Sequence, residues 1–343
     1  MNRNRLSLLA VAVLAFAAAC NTPSSGAADA PAGAPKVAFL LSTLQEERYQ
    51  KDQKYFEQEA KRLGVAAFTL AADNDNAKQL SQVEDALTRG AKVLVIQPTD
   101  SAAAAAYVKK AHDKGAKVVA YDRAIASEET DYYVAHDSRN VGKLSAQAAI
   151  DAGKRGNFVL LNGQSGHSVA TEIARGYMDV LKPYVDKGEV KIAVEKNHDA
   201  WSPEQALKTV EDAIAKTGGD IQAILANNSG MARGAVQAIQ AGGLADKKIF
   251  VAGADADAAN VNYVCEGKQS VEVLKDIEPL AKKAAEISAL LAQGKPITFA
   301  SAPSDGKVPV IGVPVHLITP VNAKQLLLDS GFHAQSAVPA CAK

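Results

Sequence analysis

The sequence predicts an α/β protein of two lobes, each a parallel sheet wrapped by helices. Short apolar, β-branched runs alternate with amphipathic helical stretches, and the alternation starts afresh near the middle of the chain. The length of 343 residues exceeds the size at which one hydrophobic core keeps growing. Hydrophobic residues at 48% and charged residues at 22% supply enough apolar surface for two cores. Lys plus Arg (38) balances Asp plus Glu (38), so no net field favours nucleic acid, anionic membrane or a strongly charged substrate.

In the first lobe, residues 37–41 read as a buried strand. A helix over 46–63 follows, with Tyr49, Phe56, Ala60 and Leu63 near helical spacing, and Gly64 stops it. A strand at 65–70, a helix at 76–89, a strand at 92–96 and an alanine-rich helix at 101–114 repeat the unit. Then comes Val118-Val119-Ala120-Tyr121-Asp122-Arg123, a buried strand with a charged tip. A strand at 132–135 and a helix at 138–152 lead into the second lobe. Its strands are 158–161, 190–194, 223–226 and 250–253, and its helices 171–181, 203–216 and 231–240. A strand at 271–275, a helix at 279–292 and one extended stretch at 308–315 complete the pattern. The lobes are accordingly 36–137 with 276–310, and 138–275 with 311–333, leaving 334–343 as a tail.

The first twenty residues form an export signal: Arg3 and Arg5, an apolar run from Leu6 to Ala19 too short to span a bilayer, then small residues before Cys20. Ala17-Ala18-Ala19-Cys20 is similar to a bacterial lipoprotein cleavage box, with Ala17 where Leu is usual. A periplasmic protein, lipid-anchored at Cys20, is expected, with residues 21–35 as an Ala/Pro/Ser/Gly tether. Lipidation would leave Cys265 and Cys341 as an even pair, able to form a disulfide in an oxidising compartment. A buried, unpaired Cys265 is the competing reading.

Enzyme signatures are scarce. Gly163-Gln164-Ser165-Gly166 misses the nucleophile-elbow spacing by one residue, and no glycine-rich run ends in Lys-Ser or Lys-Thr. The six histidines are scattered without metal-ligand spacing, so neither metal nor cofactor is expected.

Polar and aromatic residues collect at proposed strand ends in both lobes: Arg48, Asp122, Arg123, Trp201, Asn228, Asp255 and Lys275. Ligands of open α/β sheets bind outside the carboxyl ends of the strands, so this set lines a cleft between lobes. Two carboxylates against three cations nearly cancel, which suits a neutral, hydroxyl-rich ligand, and the Trp201 indole offers a face for apolar C–H groups. Taken singly each residue has an ordinary reading, such as Asn228 and Asp255 as helix caps or Trp201 as packing.

The runs EERYQKD (46–52), VVAYDRAI (118–125), VLKPYVDKG (180–188), AWSPEQALK (200–208), AGADAD (252–257) and LITPV (317–321) resemble, in order and spacing, those of bacterial periplasmic D-xylose-binding proteins. The resemblance covers about residues 36–333. It implies a ribose-binding-like type I fold of two lobes joined by three crossover strands, closing on a monosaccharide for delivery to an ABC permease, without catalysis. It points to Arg48, Asp122, Arg123, Trp201, Asn228, Asp255 and Lys275 as sugar contacts. Tyr49 stands where the family tends to have Trp, and Ser42 where an acidic residue is usual. Around His167-Ser168-Val169 the family's run is rich in Asp and Asn, and Val169 replaces an Asn that bonds the sugar. Xylose is the expected ligand, with another pentose, a hexose or a cyclitol compatible with that altered wall. A monomer is expected, and a sensory partner in place of the permease fits the same residues.

Overall fold

The computed structural model describes residues 33–298, 302–303 and 308–342. The export segment, Cys20 and the tether up to residue 32 lie outside the described residues.

The first sheet is built from β1 (Lys36–Leu41), β2 (Ala66–Ala71), β3 (Ala91–Ile96), β4 (Lys117–Tyr121) and β5 (Tyr132–His136), interleaved with α1 (Glu47–Arg62), α2 (Asn76–Thr88) and α3 (Ala105–His112). The second uses β6 (Gly156–Asn162), β7 (Val190–Asn197), β8 (Ala223–Ala226), β9 (Phe250–Ala254) and β10 (Val271–Lys275). Its helices are α4 (Ser138–Asp151), α5 (Ser168–Asp186), α6 (Pro203–Thr217), α7 (Ser229–Ala241) and α8 (Ala258–Cys265). After β10 the chain returns as α9 (Ile277–Ala292), then β11 (Ala302–Pro303), β12 (Pro309–Val313) and β13 (Val315–Ile318).

Strand order is β11-β12-β5-β4-β3-β1-β2 in one sheet and β13-β10-β9-β8-β6-β7 in the other. Each lobe is therefore a doubly wound sheet with the same internal order, reversing between β1 and β3 and between β6 and β8, where ligands gather. All pairings within these five-strand units are parallel, and β13 adds antiparallel to β10. Continuous burial of β1, β3, β4 and β8 reflects sheets covered on both faces.

The chain crosses between sheets three times: after β5, after β10 and between β12 and β13. The extended stretch expected at 308–315 is two strands, broken at Pro314, which has no N–H for a ladder bond. β12 pairs with β5 as far as Val313, so the third crossing falls there rather than between residues 310 and 311. Two helices also differ from expectation. Residues 101–104 are a turn and α3 begins at Ala105, whereas α5 runs on through Pro183 to Asp186.

A disulfide joins Cys265 of α8 to Cys341, with Cα atoms 5.3 Å apart. The C-terminal segment thereby packs on the second lobe, where Val338 and Cys341 join Val261, Leu274, Ile318 and Leu327 in one apolar cluster. Among the described residues no helix is long and apolar enough to cross a membrane.

Candidate functional site

Arg48 lies in the first turn of α1, where the helix dipole disfavours a cation. Three carboxylates offset that: Asp122 at 3.2 Å, Asp255 at 3.3 Å and Asp52 at 3.4 Å. Asp122 follows β4 and Asp255 follows β9, so one buried guanidinium joins the two lobes. Lys275, the last residue of β10, adds a second cation 2.9 Å from Asp255 and 4.0 Å from Asp122.

Burial alone would raise both cleft carboxylates, but the cations outweigh it. Arg48 and Lys275 hold Asp122 well below the usual carboxylate range, and Lys275 and Arg48 lower the pKa of Asp255. Asp52 is the deepest of the three and shares Arg48 with the others. Burial pushes it up to about 6, and the Tyr121 hydroxyl donates to its Oδ1.

Arg123 forms the second cationic centre. Its guanidinium donates to the Pro98 carbonyl at 3.2 Å and to the Tyr49 hydroxyl at 3.1 Å, and sits 6.0 Å from the centroids of the Tyr49 and Trp201 rings. Trp201 is held by a left-handed pair, Ala200 (φ 51°) and Trp201 (φ 57°). Its indole lies flat on Gly163, where a Cβ would come within 2.5 Å of the ring. The Gly163-Gln164-Ser165-Gly166 run thus serves as the seat of the indole, and the Gln164 side chain accepts from the Ala200 N–H at 2.8 Å.

The Trp201 Nε1–H, a donor only, points at His167 Nδ1 at 2.8 Å, which must therefore be unprotonated. The His167 proton sits on Nε2 and is donated to the Thr99 carbonyl of the first lobe at 2.6 Å. Burial, with Arg123 close by, pulls the His167 pKa down to about 2, so the ring is neutral. Two more bonds tie the lobes here: the Ala124 N–H donates to Ser168 Oγ at 2.7 Å, and the Ser101 N–H to the Gly166 carbonyl at 3.1 Å. At the crossings, His136 Nε2 donates to the Asp276 carbonyl at 3.0 Å, and burial lowers its pKa to about 3.

Arg48, Tyr49, Asp122, Arg123, Trp201, Asn228, Asp255 and Lys275 are thus brought together from both lobes. Asn228 caps α7, its Oδ1 accepting from the Met231 N–H at 2.9 Å, so the ordinary reading of this residue holds as well. It lines, with Trp201, Asp255 and Glu46, a cavity of about 390 Å³. Ser42 stands one step back: its hydroxyl donates to Gln97 Oε1 at 2.7 Å, and Gln97 Nε2 donates to Asp122 Oδ2 at 3.2 Å. Val169 belongs to the buried apolar core of the second lobe.

Sequence reasoning missed Asp52, Gln97 and Glu46. Asp52 is one turn beyond Arg48 on the same helix face, and Gln97 follows β3 at the sheet's reversal point, so both carried a signal in their spacing. Glu46, just before α1, keeps a buried Oε2 with no hydrogen-bond partner. Among the described residues no group of three or more His, Cys, Asp or Glu is arranged to hold a metal ion.

A periplasmic binding protein domain model matches residues 37–296. The chain belongs to the periplasmic binding protein family. It is 37% identical over 306 residues to the D-xylose-binding periplasmic protein of Escherichia coli (strain K12), covering 88% of this chain and 92% of that one. It is 30% identical over 323 residues to the multiple sugar-binding periplasmic receptor of Rhizobium radiobacter, covering 87% and 90%. Among solved structures, a carbohydrate transporter solute-binding protein from Chloroflexus aurantiacus, in complex with D-glucose, superposes with a TM-score of 0.79 at 30% identity, covering 88% and 97%. In this periplasmic binding protein, as in the family's architecture, the cleft between two parallel-sheet lobes is where the strand-end residues converge.

Proposed function

We propose that this protein binds a neutral monosaccharide, D-xylose first among them, between its lobes and presents the closed form to a membrane ABC permease. The observation that carries the reading is the Arg48 cluster. Buried carboxylates held ionised accept from hydroxyls, the cations beside them donate, and Trp201 supplies an apolar face on the cavity that Asp255 also lines. Vicinal hydroxyls on a pyranose satisfy such alternating groups, whereas a phosphate would face Asp122 and Asp255. The names of the relatives, D-xylose-binding and multiple sugar-binding, support the class.

Closure follows from the ligand touching both lobes, since a ligand shifts an equilibrium only by its differential affinity for the two states. No catalytic step is assigned. Residues 1–20 serve as the export signal and Cys20 as a lipid anchor, which mass spectrometry of the purified mature protein reads directly as a diacylglyceryl adduct.

Calorimetric titration with D-xylose, D-ribose, L-arabinose, D-glucose, D-galactose and myo-inositol tests the reading. Saturable 1:1 binding of D-xylose supports it in full. Binding of another sugar alone moves the specificity, and silence with all six sinks the reading.

A further inference from the structure

Beneath the second-lobe half of the cleft lies a buried carboxyl that the sugar contacts do not use. Glu272, the second residue of β10, has no solvent exposure. Its Oε1 accepts from Gln269 Nε2 at 2.6 Å, and its Oε2 lies 3.1 Å from the Ala256 N–H and 2.9 Å from Ser229 Oγ. Gly253 of β9 makes the room, since a Cβ there would stand 2.2 Å from Oε1.

Counting hydrogens at Ser229 bears on the protonation state. Its hydroxyl oxygen has three neighbours: the Asp257 N–H at 3.1 Å, the Ala254 carbonyl at 2.9 Å and Glu272 Oε2 at 2.9 Å. The single Ser229 hydrogen can serve one acceptor. If Glu272 is ionised, either the Ala254 carbonyl or the carboxylate loses this donor. If Glu272 is neutral, its proton goes to Ser229 Oγ, the Ser229 hydrogen goes to Ala254, and the Asp257 N–H fills the last lone pair.

Resting on the assignment of Asn228 and Asp255 to the sugar site, we infer that Glu272 is a positioning residue, held as the neutral acid, whose proton fixes both of those ligand contacts. Ala256, which it accepts from, is the second half of the left-handed turn Asp255 (φ 96°) and Ala256 (φ 57°) that aims the Asp255 carboxylate into the cleft. Ser229, which it donates to, is the first residue of α7, directly after Asn228. One carboxyl thereby couples two strand ends. The network continues from Gln269 Oε1 to Asn260 Nδ2 at 2.9 Å, and from Asn260 Oδ1 to Arg233 at 2.8 Å.

The electrostatic surroundings agree. Burial, with the Asp257 carboxylate adding to it, pushes Glu272 up to about 8. The other groups facing it from packed elements are Arg233 of α7, which is held 3.5 Å from Asp257, and the Tyr177 hydroxyl of α5, which burial raises far above its ordinary value. Loss of the proton at alkaline pH releases the Ser229 hydrogen from Ala254 and puts an unpaired negative charge under Asp255.

Carbon-13 NMR of protein labelled at the glutamate δ-carbons, with Glu272→Gln identifying the resonance, reads the proton without any ligand. A midpoint near 8 is expected, and one near the ordinary glutamate value overturns the inference. Ala256 amide exchange in the free protein reads the positioning: it should quicken in Glu272→Ala, which removes the acceptor of that N–H, and unchanged exchange overturns the positioning role. Sugar titration supplies the functional arm with D-xylose and D-glucose as probes. Wild-type affinity should fall about tenfold between pH 7 and pH 9, while Glu272→Gln, which has no proton to lose in that range, stays flat. Equal pH profiles in the two proteins overturn the coupling. Absence of all sugar binding would instead overturn the proposed function, leaving the NMR and exchange arms to judge Glu272.

Discussion

Asp122 and Asp255 end corresponding strands of the two lobes and both adopt left-handed backbone, φ 58° and 96°, with the Arg48 guanidinium within 3.3 Å of each. Such conformations are disfavoured for residues with a Cβ and persist only where the surroundings over-determine them. Here the surroundings are each other: the turns aim two carboxylates at one cation, and the cation stabilises the charge that burial would suppress.

Removing that cation should be costly. In Arg48→Ala, Asp122 and Asp52 remain buried with less compensation, and breaking a buried ion pair from one side typically costs about 3–5 kcal/mol. Chemical denaturation should show a loss of that order, and sugar binding should vanish. Arg48→Lys cannot contact three carboxylates from one planar fork and should recover only part. A stability loss under about 1 kcal/mol in Arg48→Ala would show that solvent already screens the cluster.

The Trp201 to His167 bond makes a second case. Trp201→Ala removes the indole face and should weaken sugar binding by more than about 2 kcal/mol, as interface aromatics of this kind do. Trp201→Phe keeps a ring but leaves His167 Nδ1 without its donor, so an intermediate loss is expected. Arg123→Ala, which unpairs Tyr49 and leaves one face of the site uncharged, should also exceed about 2 kcal/mol. Calorimetric titration reads the two Trp201 variants, and intrinsic fluorescence of the sole Trp reads the Arg123 variant.

How much of this was legible in the sequence divides along physical lines. The strand and helix alternation was visible because both sheets are buried on two faces, so their strands are plain apolar runs such as Val93-Leu94-Val95-Ile96. The residues that converge in the cleft were visible because they stand at strand ends, where an Asp or Arg interrupts the apolar run. What stayed hidden depends on contacts distant in sequence. Glu272 reads as the polar half of an alternating strand, and nothing local shows that Gly253, Ser229 and Ala256 converge on it. The short helix α8 was hidden too, since its eight residues carry too little periodicity.

The pH dependence of stability should carry the mark of His167. Folded, its pKa is about 2, whereas the unfolded chain has the ordinary value near 6.5. Below pH 6.5 the unfolded chain takes up a proton that the folded protein refuses, so stability is lost as pH falls through that window. At about 1.4 kcal/mol per pH unit, the loss from this one group between pH 6.5 and 5 is about 2 kcal/mol. Other buried acids titrate in the same range, so the comparison is made against His167→Gln. The wild type should lose about 2 kcal/mol more than the variant over that interval, and parallel profiles would refute the neutral buried imidazole.

The Cys265–Cys341 disulfide closes a loop of 76 residues in sequence separation, and constraining a loop of that length is worth about 4 kcal/mol in the chain-entropy account. Cys341→Ser should therefore lower unfolding free energy by about 2–4 kcal/mol. The bond lies on the flank of the second lobe, in the cluster of Val261, Leu274, Ile318 and Leu327. The cleft contacts lie elsewhere, with two links between the regions: Lys275 follows Leu274 directly in β10 and its ammonium reaches Asp255, and Ala256 of the same cluster follows Asp255. If β10 is held by its ladder with β9 rather than by the tail, sugar affinity in Cys341→Ser stays within about twofold of wild type while stability falls. A parallel loss of affinity and stability would show that the C-terminal segment holds Lys275 in place and is part of the binding apparatus.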